Sequence, residues 1–244
     1  MKGAALTVNP DLRFVDITHD VAPRRILEGA LILRSVFEHF PVGTIFVAVV
    51  DPGVGGERRI LAAEVAGRAL LAPDNGLIAP LLSERGAERL HAVVEARYFR
   101  PSVHPTFHGR DVFAPVAAHV ALGIPLSALG PPVADPARLE VPRPRPIDRG
   151  LAGEVMHVDR FGNLVTNLTE DALAAFGGRG AVIEIGGREI AGVSRSFVDG
   201  DAPLKAVVGS WGYVEVALRD GSAERLLGAG VGSAVYVRTS GSAA

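Results

Sequence analysis

A proline-dense segment limits what this chain can fold into. Prolines stand at positions 131, 132, 136, 142, 144 and 146. Proline lacks a backbone N–H and its ring clashes with the preceding helical turn, so this segment cannot form a helix and should run extended. The sequence therefore predicts a linker over residues 136–150, between a first domain of residues 1–135 and a second of residues 151–244.

The residues before this segment alternate between two periodicities. Short apolar runs are separated by stretches such as residues 26–40, where Ala30, Leu33 and Phe37 recur at helical spacing. This alternation predicts an α/β class domain, layered and Rossmann-like, with right-handed connections. Strands are expected over residues 14–17, 45–50, 60–65, 69–72 and 90–94, and helices over residues 26–40, 77–83 and 112–122.

After the proline-dense segment, short strand patterns are separated by glycine turns and helical signals are few. Many short strands with turns between them are typical of a small β-barrel or β-sandwich. The expected strands cover residues 153–158, 181–185, 188–193, 205–208, 213–218 and 234–237.

Composition excludes several classes of protein. The 244 residues are 48% hydrophobic and 21% charged, as in folded proteins, and a mean hydropathy of +0.27 predicts an oligomer with a buried subunit interface. A net charge of −2 without a basic stripe argues against nucleic acid as a partner. The absence of cysteine excludes disulfides, thiolate nucleophiles and Cys-ligated metals. Without a signal pattern or an apolar run near the roughly 18 residues of a membrane span, a cytoplasmic protein with no membrane partner is expected.

The first candidate site follows the predicted strand at residues 45–50. Asp51 comes directly after that strand and is followed by a glycine loop and by Arg58 and Arg59. Ligands of open α/β sheets bind beyond the carboxyl ends of the strands, so these side chains could line an active site. A nucleotide phosphate loop is excluded because no Gly-Lys-Ser/Thr leads into a helix. The alternative, that Asp51 caps a turn and the arginines are surface charges, stays open from this stretch alone.

The second candidate is His108, in the stretch TFHGRD at residues 106–111. A helix is expected to begin near Val112 with Asp111 as its N-cap. The positive end of that helix would disfavour imidazolium, so His108 should be neutral near pH 7 and able to accept or relay a proton. A loop histidine that satisfies a backbone group is the alternative. The remaining histidines lack metal-ligand spacing, so no metal site is expected.

Three further turns carry groups that could meet a ligand. Asp74 and Asn75 follow a predicted strand in an Asp-Asn-Gly turn, for which a turn alone is the alternative interpretation. Residues 159–167 (DRFGNLVTN) combine an aromatic ring, a glycine and two amides, which suits stacking on a flat ring. Residues 208–213 (VGSWGY) form a second glycine-flanked aromatic loop. Each turn alone is a weak signal because glycine turns with an aromatic are common in β domains.

Taken together and in this order, these segments resemble the S-adenosyl-L-methionine (SAM) hydroxide adenosyltransferase family, relatives of the fluorinase and chlorinase enzymes. The resemblance implies an N-terminal α/β domain, a C-terminal β-barrel, and a homotrimer with the ligand between neighbouring subunits. It also implies hydrolysis of SAM to adenosine and L-methionine by water or hydroxide attack on ribose C5′, with no cofactor. The matching segments are VVDPGVG at 49–55, APDNG at 72–76, TFHGRD at 106–111, DRFGN at 159–163 and GSWGYVE at 209–215.

The resemblance assigns roles to individual residues. The catalytic set of the family falls on Asp51, Arg58 and His108, and the aromatic and amide that hold adenine fall on Phe161 and Asn163. The full set of expected substrate-binding residues is Asp74, Asn75, Thr106, Phe107, Gly109, Phe161, Asn163, Phe197, Ser210, Trp211, Tyr213 and Glu215.

The sequence also departs from the family pattern. Family members usually begin with a strand and a Thr-Asp-Phe-Gly segment whose aspartate holds the ribose hydroxyls, and this sequence is expected to lack both. The insertion that forms the halide site of the halogenating relatives is not evident, so water is the expected nucleophile. The alternative functions are a protein that binds SAM or adenosine without turnover and a halide-using adenosyltransferase.

Overall fold

The computed structural model describes residues 1–239, which form two compact units. The first unit covers residues 1–140 and the second begins at residue 141. Both units include parts of the proline-dense segment, since the backbone N–H of Ala137 donates to Asp74 in the first and Arg145–Ile147 forms a strand of the second. The predicted domain and linker bounds themselves stay a prediction. No helix within the described residues is long and apolar enough to cross a membrane.

The first unit contains a four-stranded sheet in the order β1-β3-β2-β4. β1 and β3 are parallel, whereas β2 pairs antiparallel with both β3 and β4. The chain reverses between β2 and β3 at Ala66 and Gly67, which both have positive φ. The α/β class is confirmed, but Rossmann-like layering is not, because one strand pair of three is parallel. The strands are β1 (Ile45–Val47), β2 (Ile60–Val65), β3 (Arg68–Pro73) and β4 (Arg89–Ala92).

Helical segments cover both faces of this sheet. This is visible from β2, whose successive side chains point to opposite sides of the sheet. Leu61 and Ala63 pack in a cluster with α2 and α3, and Ala62 packs with Phe113 and α4 on the other side. The three predicted helices are therefore present, with ends shifted by a few residues, and α1 is an addition. The helices are α1 (Lys2–Leu6), α2 (Ile26–Val36), α3 (Ala79–Arg85) and α4 (Ala114–Ala121), with a π-helical turn at Gly109–Phe113 and 3₁₀ turns at Phe37–His39, Ala96–Tyr98 and Leu126–Leu129.

The strand predicted over residues 14–17 is wrong. These residues are irregular, and the side chains of Phe14, Val15 and Ile17 are exposed. Their alternating pattern suits a strand, but a strand also needs a neighbour for its backbone groups, and no pairing with this segment occurs within residues 1–239. Local pattern alone therefore did not decide the structure here.

Nine strands of the described part of the second unit form one sheet, a β-barrel that is nearly closed because β9 lies against β11. Its interior is filled by aliphatic side chains such as Leu164, Leu168 and Val235. The strands are β5 (Arg145–Ile147), β6 (Gly150–Val158), β7 (Leu164–Thr169), β8 (Val182–Ile185), β9 (Arg188–Ala191), β10 (Val193–Ser194), β11 (Leu204–Val208), β12 (Tyr213–Leu218) and β13 (Ala234–Arg238). The helices are α5 (Glu170–Leu173) and α6 (Ala223–Leu227), with 3₁₀ turns at Ala174–Phe176 and Gly178–Gly180.

The strand β7 was not predicted, because polar residues interrupt its apolar pattern. Thr166 and Asn167 are nevertheless buried, and their polar atoms are paired: Thr166 Oγ1 donates to Val214 O at 2.7 Å, and Asn167 Oδ1 accepts from the Glu154 N–H at 2.8 Å. A buried polar side chain is tolerated only when it is hydrogen-bonded, and only the folded barrel supplies these partners.

The core of the barrel yields the first testable prediction. Leu168→Ala removes a fully buried side chain and should lower the free energy of unfolding by about 3 kcal/mol, through lost apolar burial and a cavity. Leu226→Ala is the matched control, because Leu226 is 39% exposed, and should cost about 1 kcal/mol or less. Urea unfolding of both variants measures the difference, and equal losses would contradict the burial of Leu168 in the barrel core.

Candidate active site

The backbone ahead of Asp51 is held in place by hydrogen bonds to two neighbouring segments. Ala48 N–H donates to Leu71 O at 3.0 Å, which extends the contact of β1 with β3. Asn75 Nδ2 donates to Val50 O at 2.8 Å, directly before Asp51. The side chain of Asp51 then points into a nearly solvent-free position, where it is 4% exposed.

Arg58 contacts both other predicted catalytic residues. Its Nε lies 3.0 Å from each carboxylate oxygen of Asp51, and its Nη2 lies 2.5 Å from Asp51 Oδ2. The same Nη2 lies 2.9 Å from Nδ1 of His108. The fold thus brings together three residues that are far apart in the chain, since 57 positions separate Asp51 from His108.

This contact decides the protonation of His108. A guanidinium is always charged and can only donate, so Nδ1 of His108 must accept and the ring proton must sit on Nε2. Burial, followed by the positive charge of Arg58, lowers the pKa of His108, while Asp51 and Asp111 partly oppose that shift. His108 is therefore neutral near pH 7, and it presents an Nε2–H donor.

Arg59 belongs to a different cluster. Its Nε donates to Asp74 Oδ2 at 2.7 Å and its Nη1 to Asp135 Oδ1 at 2.7 Å. The other oxygen of Asp74 accepts the Ala137 N–H at 2.7 Å. Both oxygens of Asp74 are thus engaged within the protein, which favours the interpretation of the Asp-Asn-Gly turn as a structural element.

Gly55 allows the loop after Asp51 to approach the loop before His108. A Cβ at Gly55 would lie 2.7 Å from Pro105 O, and Gly55 has φ +80°. Any other residue would be strained there and would push the two loops apart. Gly55 therefore permits the close packing of these two backbones.

Asp111 is not the N-cap that the sequence predicted. The helical segment begins earlier, with His108 at the N-cap position, and Asp111 lies inside the π-helical turn. Its carboxylate is fully buried and accepts hydrogen bonds from Arg110, from Arg100 and from the His104 N–H. The Arg110 guanidinium is the main cause that holds the pKa of Asp111 far below its usual range.

The rest of the TFHGRD stretch is more exposed. Thr106 Oγ1 lies 3.0 Å from His104 Nδ1, and the Phe107 ring is 52% exposed beneath the Arg110 guanidinium at 4.9 Å. A Cβ at Gly109 would lie 3.1 Å from Met1 Sδ, so this position is also closely packed. These three expected substrate-binding residues lie on either side of His108 in the chain.

In the second unit, Asp159 braces the loop that displays Phe161. Its Oδ1 accepts the N–H groups of Phe161 and Asn163 at 2.8 and 2.9 Å, and its Oδ2 accepts Asn163 Nδ2 at 2.8 Å. Gly162 has φ +81° and packs so tightly on Ser222 that a Cβ there would lie 2.1 Å from Ser222 Oγ. The Phe161 ring, 69% exposed, is therefore held on a rigid loop. The DRFGN motif contains Asp159, but nothing in its pattern indicates that this side chain braces the loop.

The loop at residues 209–212 is a second turn of the barrel. It is closed by a hydrogen bond of 2.9 Å from the Gly209 N–H to Tyr213 O. Trp211 stacks on His157 with ring centroids 5.1 Å apart. Glu215 packs directly on Gly209, and burial, with a smaller effect of the Asp159 charge, raises the pKa of Glu215. Because Trp211 stacks on His157, two residues before Asp159, these two loops lie in the same region of the barrel.

The two remaining expected residues, Ser210 and Phe197, make fewer contacts with the side chains of these loops. Ser210 is exposed at the tip of the turn. Phe197 is 47% exposed on another loop, where the buried Lys205 donates to the carbonyls of Asp199 and Gly200. Among residues 1–239 there is no group of three or more His, Asp and Glu side chains arranged to hold a metal ion.

The chain thus combines an α/β unit that carries an Asp–Arg–His contact with a β-barrel unit that carries exposed aromatic loops, an arrangement suited to a two-domain enzyme. Residues 1–130 match the family model of the SAM hydroxide adenosyltransferase N-terminal domain, and residues 153–236 match that of the C-terminal domain. The chain therefore belongs to the SAM hydroxide adenosyltransferase family.

Several known proteins are similar to this chain. A protein named (R)-S-adenosyl-L-methionine hydrolase from Thermus thermophilus is 41% identical, over 90% of this chain and 85% of its own length. One of the same name from Salinispora tropica is 37% identical, over 96% and 90%. A fluorinase from Nocardia brasiliensis is 30% identical over 72% and 68%. The crystal structure of an uncharacterized conserved protein from Thermotoga maritima superimposes with a TM-score of 0.89 at 31% identity, covering 97% of this chain and 93% of that one.

The Arg58 contact predicts the titration of His108. In ¹⁵N NMR spectra across pH, His108 should show the Nε2–H tautomer and a pKa below the ordinary 6.5. Arg58→Met removes the donor to Nδ1 and a nearby positive charge, so the pKa of His108 should rise. Arg59→Met is the matched control, because Arg59 contacts Asp74 and Asp135, and it should leave His108 unchanged. Equal shifts in the two variants would argue against the contact.

Proposed function

We propose that this chain hydrolyses SAM to adenosine and L-methionine by attack of water on ribose C5′. The observation that carries this proposal is the direct contact of Arg58 with both Asp51 and His108, in which the Asp51 side chain is only 4% exposed. Relatives that are 37–41% identical over most of the chain, and that carry the name (R)-S-adenosyl-L-methionine hydrolase, support it.

The reaction requires an activated water more than a proton donor. The water oxygen forms a bond to C5′ while the C5′–S bond breaks and its electron pair leaves on sulfur. The sulfonium becomes a neutral thioether, so the leaving group needs no general acid. The attacking water loses one proton, and we assign its acceptance to Asp51, whose carboxylate keeps lone pairs beyond those that meet Arg58.

His108 and Arg58 would position that water. Because Nδ1 of His108 accepts from Arg58, its Nε2–H can donate to the water oxygen and direct another lone pair at C5′. The sequence-based expectation was that His108 could accept or relay a proton; in this assignment its Nε2–H is instead a hydrogen-bond donor to the water. Alignment of a nucleophile in a bound geometry contributes up to about 7–11 kcal/mol to the lowering of a barrier, so positioning alone is a large share of the catalysis required.

The aromatic loops of the barrel would hold the adenosine part. The rigid, exposed Phe161 ring is suited to stack on adenine. The amide nitrogen of Asn163 is engaged by Asp159, which leaves its side-chain carbonyl to accept from the adenine amino group. Asp74 and Asn75 would act by shaping the strand ends, since their side chains bond within the protein. We propose as further contacts Thr106, Phe107, Gly109, Phe197, Ser210, Trp211, Tyr213 and Glu215.

We further propose a homotrimer with the substrate between neighbouring subunits, as the family resemblance implies. The mean hydropathy of +0.27 and the exposed apolar side chains of Phe197 and Val198 support an oligomer. A cytoplasmic location, the lack of a cofactor and the lack of a nucleic-acid partner stay predictions from the sequence.

A halide-using adenosyltransferase is the second candidate, because fluorinases are among the relatives, at 28–30% identity. In that reaction a halide replaces water at C5′, and the product is a 5′-halo nucleoside. A third candidate, a protein that binds SAM without turnover, would give neither product.

The variant kinetics of SAM hydrolysis provide the test. The purified protein should convert SAM to adenosine and methionine, followed by chromatography. Asp51→Ala and His108→Ala should lower kcat about a hundredfold or more with smaller changes in KM, because they act on the reacting water. Phe161→Ala should mainly raise KM, by roughly tenfold, since stacking on a base is worth about 1–3 kcal/mol.

Asp135→Ala is the control for Asp51→Ala, because Asp135 is also paired with an arginine but is 84% exposed, and its kcat should match the wild type. Equal losses of affinity in the Asp51, His108 and Phe161 variants would contradict the roles assigned to these residues. Chloride-dependent formation of a 5′-chloro nucleoside would instead favour the transferase. Binding by calorimetry without any product would favour the binding protein.

A further inference from the structure

Asp111 is a fully buried carboxylate three residues after His108, and the proposed reaction does not use it. We propose that Asp111 is a positioning residue, whose buried hydrogen bonds fix the loop that holds His108 against Arg58. This inference rests on the proposed function, and it concerns a residue that does not itself touch the reacting atoms.

The side chain of Asp111 connects three points of this loop. Oδ1 accepts from Arg110 Nε at 2.7 Å and from Arg100 Nη1 at 3.1 Å, while Oδ2 accepts from Arg110 Nη2 at 2.8 Å and from the His104 N–H at 2.9 Å. Its backbone adds two bonds, from the Arg100 N–H to Asp111 O and from the Asp111 N–H to Phe107 O, both 2.9 Å. One residue therefore closes the whole stretch from 100 to 111.

The loop that is closed in this way has little freedom at His108. Its Pro105 carbonyl packs against the backbone of Gly55, in the loop that follows Asp51. The bond from Arg58 Nη2 to His108 Nδ1 is 2.9 Å long, and hydrogen bonds of this kind weaken beyond about 3.2 Å. A displacement of a few tenths of an ångström would thus loosen the contact, and displacements near 1 Å cost about 10²-fold in rate.

A carboxylate is the group that this position requires. The two guanidinium groups and the backbone N–H supply four donors, which an anion with two acceptor oxygens can satisfy. An asparagine would keep one acceptor oxygen, but it would turn an N–H₂ group towards an arginine and leave that charge unpaired. Asp111→Asn therefore changes the loop without removing side-chain volume.

Asp111→Asn and Arg100→Gln are the test variants. If Asp111 positions His108, Asp111→Asn should lower kcat for SAM hydrolysis about 10- to 100-fold with KM changed less than about threefold. Arg100→Gln removes one partly exposed donor, so its kcat should fall several-fold while the fold is retained. In both variants the His108 ¹⁵N resonances should move away from the wild-type Nε2–H pattern.

Two controls separate positioning from stability. Arg97→Gln removes an exposed arginine three residues before Arg100 that does not contact Asp111, and it should change neither kcat nor the His108 resonances. Phe37→Leu loosens the core between the sheet and α2, on the face opposite to α4. This variant should lower the melting temperature while kcat stays near wild type.

A lower melting temperature of Asp111→Asn with unchanged kcat and unchanged His108 resonances would overturn the proposal and make Asp111 purely structural. If Asp111→Asn does not fold, Arg100→Gln decides by the same two readouts against Arg97→Gln. If the wild type shows no turnover, the proposed function fails, and the His108 resonances alone then decide whether Asp111 positions this residue.

Discussion

The guanidinium of Arg58 is the group on which the candidate active site depends. It binds Asp51 through two nitrogens and His108 through one of these, in a position that is nearly closed to water. A guanidinium presents its donors in a rigid fork, so one side chain can set the direction of a carboxylate and of an imidazole together. Burial and, after it, the charge of Arg58 lower the pKa of His108 and keep it neutral, and the Arg58 contact selects its tautomer. The orientation of Asp51 and the tautomer of His108 therefore depend on the same guanidinium.

The surrounding fold serves to hold that cation and its partners in place. Asn75 restrains the backbone before Asp51, and Gly55 lets the two loops pack in contact. Asp111 closes the loop of His108 from inside, with two arginines as partners. The barrel unit repeats this arrangement at Phe161, where Asp159 fixes the loop and leaves the ring exposed. In each unit an aspartate hydrogen-bonds to the backbone of the loop that carries a proposed site residue.

Local pattern predicted much of the fold. The three long helices of the first unit and most of the strands lie where periodicity placed them, because apolar residues recur on the face that each element buries. The failures have non-local causes. Residues 14–17 alternate like a strand but lack a neighbour, whereas β7 carries Thr166 and Asn167, whose polar atoms are satisfied only inside the barrel. Pairing partners of this kind are not visible in a linear pattern.

The sequence by itself determined the family and the residues of interest, because the order of the short motifs around Asp51, His108 and Phe161 can be read without any knowledge of contacts. The resemblance assigned Arg58 rather than Arg59 to the catalytic set, but it did not show that Arg58 contacts Asp51 directly, or that Asp111 is a buried acceptor rather than a helix cap. Only the tertiary structure decided these points. Arg58 and Arg59 are chemically identical, and their partners come from loops up to 76 residues away. Hydrogen bonding and burial depend on distance in space, which a chain acquires only by folding.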